Sequence, residues 1–270
     1  MKIGVRAHDY PRQSPETLAM EIKKAGFDAV QLAPCKALDL PDDQMLEPKT
    51  IQRIRQAFFS AGLEISVLGC YVEPGSMDES IWQQSLNRFK AHIRIAKALG
   101  AKSIATETTR FSGTDAAREA AYLRVLAFVR EAVLEAEEYD TLVAVEPVFT
   151  HTIHTPELAK RLLTDAKSSR LGIVFDPVNL LPPTELHHQE ALWSRCIDCF
   201  GSQVIAMHIK NGCWEEGAYL PGPLSEGVVN LAPVLDWVRT DAAHLPLLRE
   251  EAVPSYARAD IQFLRQALHL

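Results

Sequence analysis

Short aliphatic and β-branched runs alternate along the chain with longer segments whose apolar positions recur at helical spacing. The short runs predict strands at residues 2–6, 28–32, 63–68, 102–106, 141–145, 171–175, 203–209 and 245–249. The longer ones predict helices near 15–25, 48–60, 79–99, 114–138, 156–166, 185–200, 231–239 and 255–268. Ser14-Pro15-Glu16 and Thr155-Pro156-Glu157 each offer a hydroxyl cap, a proline at the first helical position and an early acid. Gly26, Gly62 and Gly100 stand where the first three helices should end. Strands joined through helices run parallel, and burial on both faces explains runs such as LVAV and LGIVF. Eight strand-plus-helix units are the number that closes a parallel barrel. The expectation is therefore an α/β fold, a single (β/α)8 TIM-barrel domain over residues 1–270.

Composition narrows the classes without naming one. The chain has 270 residues, with 28 basic against 35 acidic side chains and a net charge of −7, which argues against a nucleic-acid surface. No apolar run reaches the length of about 18 residues that a membrane helix needs. The opening MKIGVRAHDY lacks the apolar core of a signal peptide, and five scattered cysteines do not make a disulfide scaffold. The expected address is the cytoplasm, with a small-molecule partner and a possible homo-oligomer. An open doubly wound sheet is the rival fold, but G-x-G-x-x-G is missing after the first strand.

Catalytic groups of a parallel barrel collect at the carboxyl ends of its strands. The fifth strand ends in Glu146-Pro147 and the sixth in Asp176-Pro177; the seventh carries His208 and the eighth leads into Glu250-Glu251. Polar residues often end strands because the chain is leaving the core, and that explains any one of the four. Four in succession are harder to dismiss, since three anions and an imidazole converging without a cation repel one another. One divalent ion resolves the conflict. An oxygen-rich donor set with one histidine suits Mn²⁺ first, then Mg²⁺ or Co²⁺, with Zn²⁺ behind them.

The strings AVE146P, FDPVN179, MHIK210N and LLRE250, with LPGPLSEG after the seventh strand, resemble the sugar-phosphate isomerase/epimerase family of xylose isomerase-like barrels. So do IKKAGFDAVQL and AKALGAKSIATET. The resemblance spans nearly the whole chain. It implies one divalent metal at Glu146, Asp176, His208 and Glu250, with Glu146 and Glu250 also moving protons. The family includes ketose 3-epimerases and aldose–ketose isomerases, so the substrate does not transfer with the resemblance. Proton movement next to a carbonyl needs a base, an acid and a Lewis acid to stabilise the enediolate.

Arg6, His8 and Glu107 leave their strands toward the same rim and are candidates for substrate contact, with exposed loop positions as the alternative. His154 in FTHTIHTP is a candidate hydroxyl donor, although capping of the next helix by Thr155 explains that segment more simply. Asn179 can hydrogen-bond substrate, and Lys210 has the parity to face the pocket; a snorkelling surface lysine is its alternative. Cys196 and Cys199 form a lone CxxC at a helix end, best read as buried thiols. Side chains alternate along a strand, so only one of Glu250 and Glu251 points inward. Glu251 inward would bring Arg249 inward beside a divalent cation, costing several kcal/mol at an effective dielectric of about 20. Glu250 inward places Leu248 beneath it. The competing functions are a metal-dependent dehydratase or hydrolase on a small sugar-like or ring acid, an apurinic endonuclease, and a silent binding barrel. The endonuclease reading is disfavoured because a three-metal cluster wants more rim histidines, and position 179 is Asn.

Overall fold

The structure is a computed structural model, and it describes residues 1–40 and 47–270. Eight strands close into a parallel barrel in the order β1, β10, β7, β6, β5, β4, β3, β2. In chain order these are β1 (Ile3–Arg6), β2 (Ala29–Leu32), β3 (Glu64–Gly69), β4 (Ser103–Glu107), β5 (Leu142–Glu146), β6 (Leu171–Phe175), β7 (Val204–Ile209) and β10 (Leu247–Arg249). The main outer helices are α1 (Pro15–Ala25), α3 (Pro48–Ser60), α4 (Glu79–Leu99), α5 (Asp115–Glu138), α6 (Pro156–Ala166), α8 (Gln189–Phe200), α9 (Ala232–Asp241) and α10 (Ala257–Ala267). Two single-turn helices, α2 (Pro34–Ala37) and α7 (Pro177–Leu180), follow β2 and β6.

Local chemistry accounts for the helix ends. Ser14 and Thr155 accept hydrogen bonds from the amides of Thr17 and Leu158, capping α1 and α6. Gly26 and Gly100 end α1 and α4 in the left-handed conformation, at φ 109° and 82°. The larger apolar cluster lies between strands and helices, where Phe89, Phe128, Phe175 and Phe200 are buried.

A second, smaller cluster fills the barrel itself: Ala29, Val67, Ala105, Ala144, Val174, Ala206 and Leu248, one residue from each of seven strands. The eighth strand contributes Gly4, where a Cβ would lie 2.7 Å from Leu248 Cδ2 and 2.5 Å from the Ala29 carbonyl oxygen. This small-residue layer is the floor on which the rim stands.

The sequence pattern places no element between the seventh strand and the helix near 231–239, and here the structure adds one. Residues Asn211–Glu215 and Ala218–Gly222 form an antiparallel hairpin, β8 and β9, which pairs with no barrel strand. Its two-residue turn holds Glu216 and Gly217 in the left-handed region, at φ 49° and 82°. Asn211 anchors the start: its Nδ2 donates to the Leu224 and Val229 carbonyls, and its Oδ1 accepts from the Gly212 and Val229 amides. Arg249 anchors the end by donating 2.7 Å to the Gly222 carbonyl. Among the described residues, no helix is long and apolar enough to cross a membrane.

Candidate metal centre

Strand alternation builds the site from the floor upward. Two residues beyond each floor position stand Arg6, Gln31, Gly69, Glu107, Glu146, Asp176, His208 and Glu250. Seven of these eight are polar, and all eight are at the carboxyl ends of the strands. Gly69 leaves room for the Gln31 side chain, whose Nε2 would lie 3.4 Å from a Cβ there.

Glu146, Asp176, His208 and Glu250 are all buried, and one donor atom from each lies within 4.8 Å of the others. His208 Nδ1 is 3.2 Å from Glu146 Oε2 and 3.8 Å from Glu250 Oε2. Its Nε2 sits 2.6 Å from Gln31 Oε1. Asp176 caps the single turn of α7, accepting from the Asn179 amide at 2.9 Å. That turn swings the Asn179 side chain across the cluster, where Nδ2 donates to Glu146 Oε1 at 2.6 Å and Oδ1 accepts from Lys210 at 2.6 Å. Lys210 also reaches Glu250 Oε2 at 2.8 Å and lies 3.3 Å from Asp176 Oδ2. Arg6 pairs with the other oxygen of Glu250 and, at 2.7 Å, with Asp9.

The charges are tightly interdependent. Burial opposes ionisation of Glu250, yet Lys210, His208 and Arg6 together hold its carboxyl well below the usual range. Burial pushes Asp176 well upward, and Lys210 only partly counters this while Glu250 and Glu146 add to it. Burial also opposes protonation of His208, but Glu146 and Glu250 carry its imidazole up to about 9. Glu107, at the end of β4, is raised to about 7 by burial and by the charges of Glu146 and Glu250.

These donors suit a divalent cation. Among the described residues, Asp176 Oδ2 and His208 Nδ1 are buried without a hydrogen-bond partner, although Asp176 Oδ2 lies 3.3 Å from Lys210 Nζ and His208 Nδ1 lies 3.2 Å from Glu146 Oε2. These orphaned polar atoms belong to a set of three carboxylates and one imidazole that could hold a divalent cation. The His208 Nε2–Gln31 bond fixes the ring so that Nδ1 faces the carboxylates. A cavity of about 740 Å³, lined by Ser168, Gly172 and Gln203, lies at the opposite, amino end of the barrel. Its lining has no comparable donor set, whereas Glu146, Asp176, His208 and Glu250 converge at the carboxyl end.

The structure brings most of the expected residues to this rim. Arg6, Asn179 and Lys210 touch the ligand cluster directly, and Lys210 is buried rather than snorkelling to the surface. Glu107 pairs in register with Glu146 on the neighbouring strand. His154 is not brought to the cluster: the charges that act on it are those of Arg118 and Asp115. Its neighbour His151 takes the nearer position, with Nε2 3.8 Å from Glu107 Oε2. Strand parity does not extend through the irregular loop after β5, so it could not tell which of its histidines approaches Glu107. Gln31 and Tyr71 are rim residues that sequence reasoning passed over. Gln31 was accessible to the same alternation, since it stands two residues above Ala29. Cys196 is buried and Cys199 half-buried on α8, both as free thiols.

The sequence matches the Xylose isomerase-like TIM barrel family over residues 20–267, and the chain belongs to that family. No curated protein sequence matches it. Among solved structures, it is similar to a D-tagatose 3-epimerase-like protein, with 18% identity, a TM-score of 0.80 and coverage of 100% of this chain and 97% of the other. The 3-keto-D-glucoside 4-epimerase YcjR from E. coli matches at 17% identity and a TM-score of 0.78, covering 98% of this chain and 99% of that one. The probable 3-DHS dehydratase AsbF from Bacillus anthracis matches at 16% identity and a TM-score of 0.73, covering 98% of each. At these identities the likeness is one of fold.

Proposed function

We propose that this protein is a divalent-metal-dependent isomerase or epimerase of a small sugar or sugar phosphate. The observation that carries the reading is the placement of two buried glutamates, Glu146 on β5 and Glu250 after β10, on either side of a shared metal-suited donor set. The epimerases among the similar folds act on compounds of this class and support the reading.

Glu146, Asp176, His208 and Glu250 would hold the ion. When bound, it supplies Lewis acidity toward a carbonyl oxygen and its neighbouring hydroxyl. Manganese is the first choice for the oxygen-rich set, ahead of magnesium, cobalt and zinc.

The proton chemistry belongs to the chain. Glu250, kept ionised by Lys210 and Arg6, accepts a proton from the carbon next to the carbonyl. The C–H bonding pair becomes the C=C bond of the enediolate as the carbonyl π pair moves onto oxygen. Glu146, entering the step with a solvent-derived proton, delivers it to the opposite face, and solvent exchange then resets both carboxyls. Asn179 holds Glu146 in place through Oε1, leaving Oε2 turned toward the cluster. Reversal exchanges the two roles. Arg6, His8, Glu107, Asn179 and Lys210 are the proposed substrate contacts. The whole chain acts as one barrel domain.

The test is solvent exchange. Protein loaded with Mn²⁺ and incubated in heavy water with ketoses and ketose phosphates should place deuterium beside the carbonyl of at least one compound. Unsaturated product from a hydroxy acid, with no exchange into any sugar, would replace the epimerase reading with a dehydratase.

A further inference from the structure

Four side chains form a hydrogen-bonded series from the cluster to the rim. His208 Nε2 is 2.6 Å from Gln31 Oε1, Gln31 Nε2 is 3.0 Å from the Tyr71 hydroxyl, and that hydroxyl is 3.3 Å from His8 Nε2. The direction of each bond follows from valence. His208 is flanked by carboxylates at Nδ1 and carries a hydrogen at Nε2, so the Gln31 carbonyl accepts. The Gln31 amide nitrogen can only donate, so the Tyr71 oxygen receives its hydrogen. The Tyr71 hydroxyl proton is then free to go to His8.

Two neighbours favour that last step. Lys36 Nζ lies over the Tyr71 ring, 3.4 Å from its centroid, and a cation there strengthens the phenol as a donor. His8 is kept neutral by burial and by the charges of Arg6 and Lys36, which hold its imidazole down at about 3. A neutral ring that accepts at Nε2 carries its hydrogen at Nδ1. The His8 Nδ1 atom is buried and has no hydrogen-bond partner among the described residues.

We infer that Gln31 and Tyr71 are positioning residues that lock His8 in the Nδ1–H tautomer, so that His8 donates a hydrogen bond to a substrate oxygen and does not act as a base. The substrate half of this statement rests on the polyhydroxy-carbonyl reading given above. The tautomer half does not. A ligand lacking the matching oxygen would leave a buried N–H unsatisfied, which makes His8 a specificity residue.

The tautomer is measured on the full-length metal-free protein at pH 7.5, labelled with ¹⁵N, by long-range ¹H–¹⁵N correlation of the histidine rings. The His8 ring, assigned by its disappearance in His8→Gln, should show a protonated Nδ1 and an unprotonated Nε2. Tyr71→Phe should reverse the pattern. An Nε2–H ring in the wild-type protein, with Tyr71 accepting from both sides, would overturn the inference even if Tyr71→Phe does not fold. An Nδ1–H ring unchanged in folded Tyr71→Phe would remove the positioning role. With the ketose that exchanges deuterium, His8→Leu should raise KM about tenfold, the loss of one hydrogen bond, and leave kcat within about twofold. An unchanged KM would overturn the donor role, whereas absence of exchange in the wild-type enzyme would count against the reaction alone.

Discussion

Arg249 and Asp260 form a fully buried ion pair outside the barrel, with Nε 2.7 Å from Oδ2. Asp260 lies on α10, so this contact turns Arg249 away from the barrel interior, and alternation turns Leu248 and Glu250 inward. The next residue, Glu251, has φ 52°, a left-handed conformation in which the chain leaves the strand.

Glu250 and Glu251 are consecutive, yet their substitution should differ sharply. Glu250→Gln should lower Mn²⁺ affinity at least tenfold and abolish deuterium exchange, because it removes a charge held between Lys210 and Arg6. Glu251→Gln should retain both within about threefold. Isothermal titration and exchange in heavy water measure the contrast; damage confined to Glu251→Gln would assign the wrong glutamate.

Asp176→Asn and His208→Ala should each bind no stoichiometric metal while keeping the barrel intact. Their side chains stand above the floor layer, outside the packed apolar clusters. Metal analysis after gel filtration, with circular dichroism as the control for folding, decides it. Full stoichiometry in both proteins would remove the proposed ligand set.

Glu107 gives a pH signature in the metal-free protein. Its carboxyl is raised from 4.5 to about 7 in the fold. Between those values the folded state holds more protons than the unfolded one, so this group makes stability fall as pH rises. Glu107→Gln cannot ionise and should become progressively more stable than wild type from pH 4.5 to 7, then level off. Melting temperatures of the two proteins across that range are the measurement, and a constant difference would contradict the shift.

The Asn211 clamp should dominate the stability of the loop after β7. Its side chain is buried and makes four hydrogen bonds to the backbone, so Asn211→Ala should cost about 3 kcal/mol. Gly227→Ala should destabilise in the same direction, since its Cβ would fall 2.0 Å from Asn211 Oδ1. Urea unfolding of both variants tests this, and changes below about 0.5 kcal/mol would leave the clamp without energetic weight.

Where alternation governs, the sequence was a good guide. The eight barrel strands follow from short apolar runs, the convergence of Glu146, Asp176 and His208 from strand ends, and the inward turn of Glu250 from period-two geometry. The hairpin was hidden because its left-handed turn is built from Glu216-Gly217, where Asn-Gly or Asp-Gly is the usual signal. Lys210 could be placed facing inward, but its burial depends on Asn179 of α7 and Glu250 after β10, partners distant in sequence. The His208–Gln31 contact joins positions 177 apart and has no local pattern to announce it.

The hairpin of β8 and β9 completes its strand pairing within itself and is fastened at both ends by contacts outside the barrel ladder. Its length and composition can therefore drift in evolution without disturbing the register of any barrel strand. The hairpin can change as a unit while the barrel strands keep their pairing. Changes in the hairpin need not displace Glu146, Asp176, His208 or Glu250.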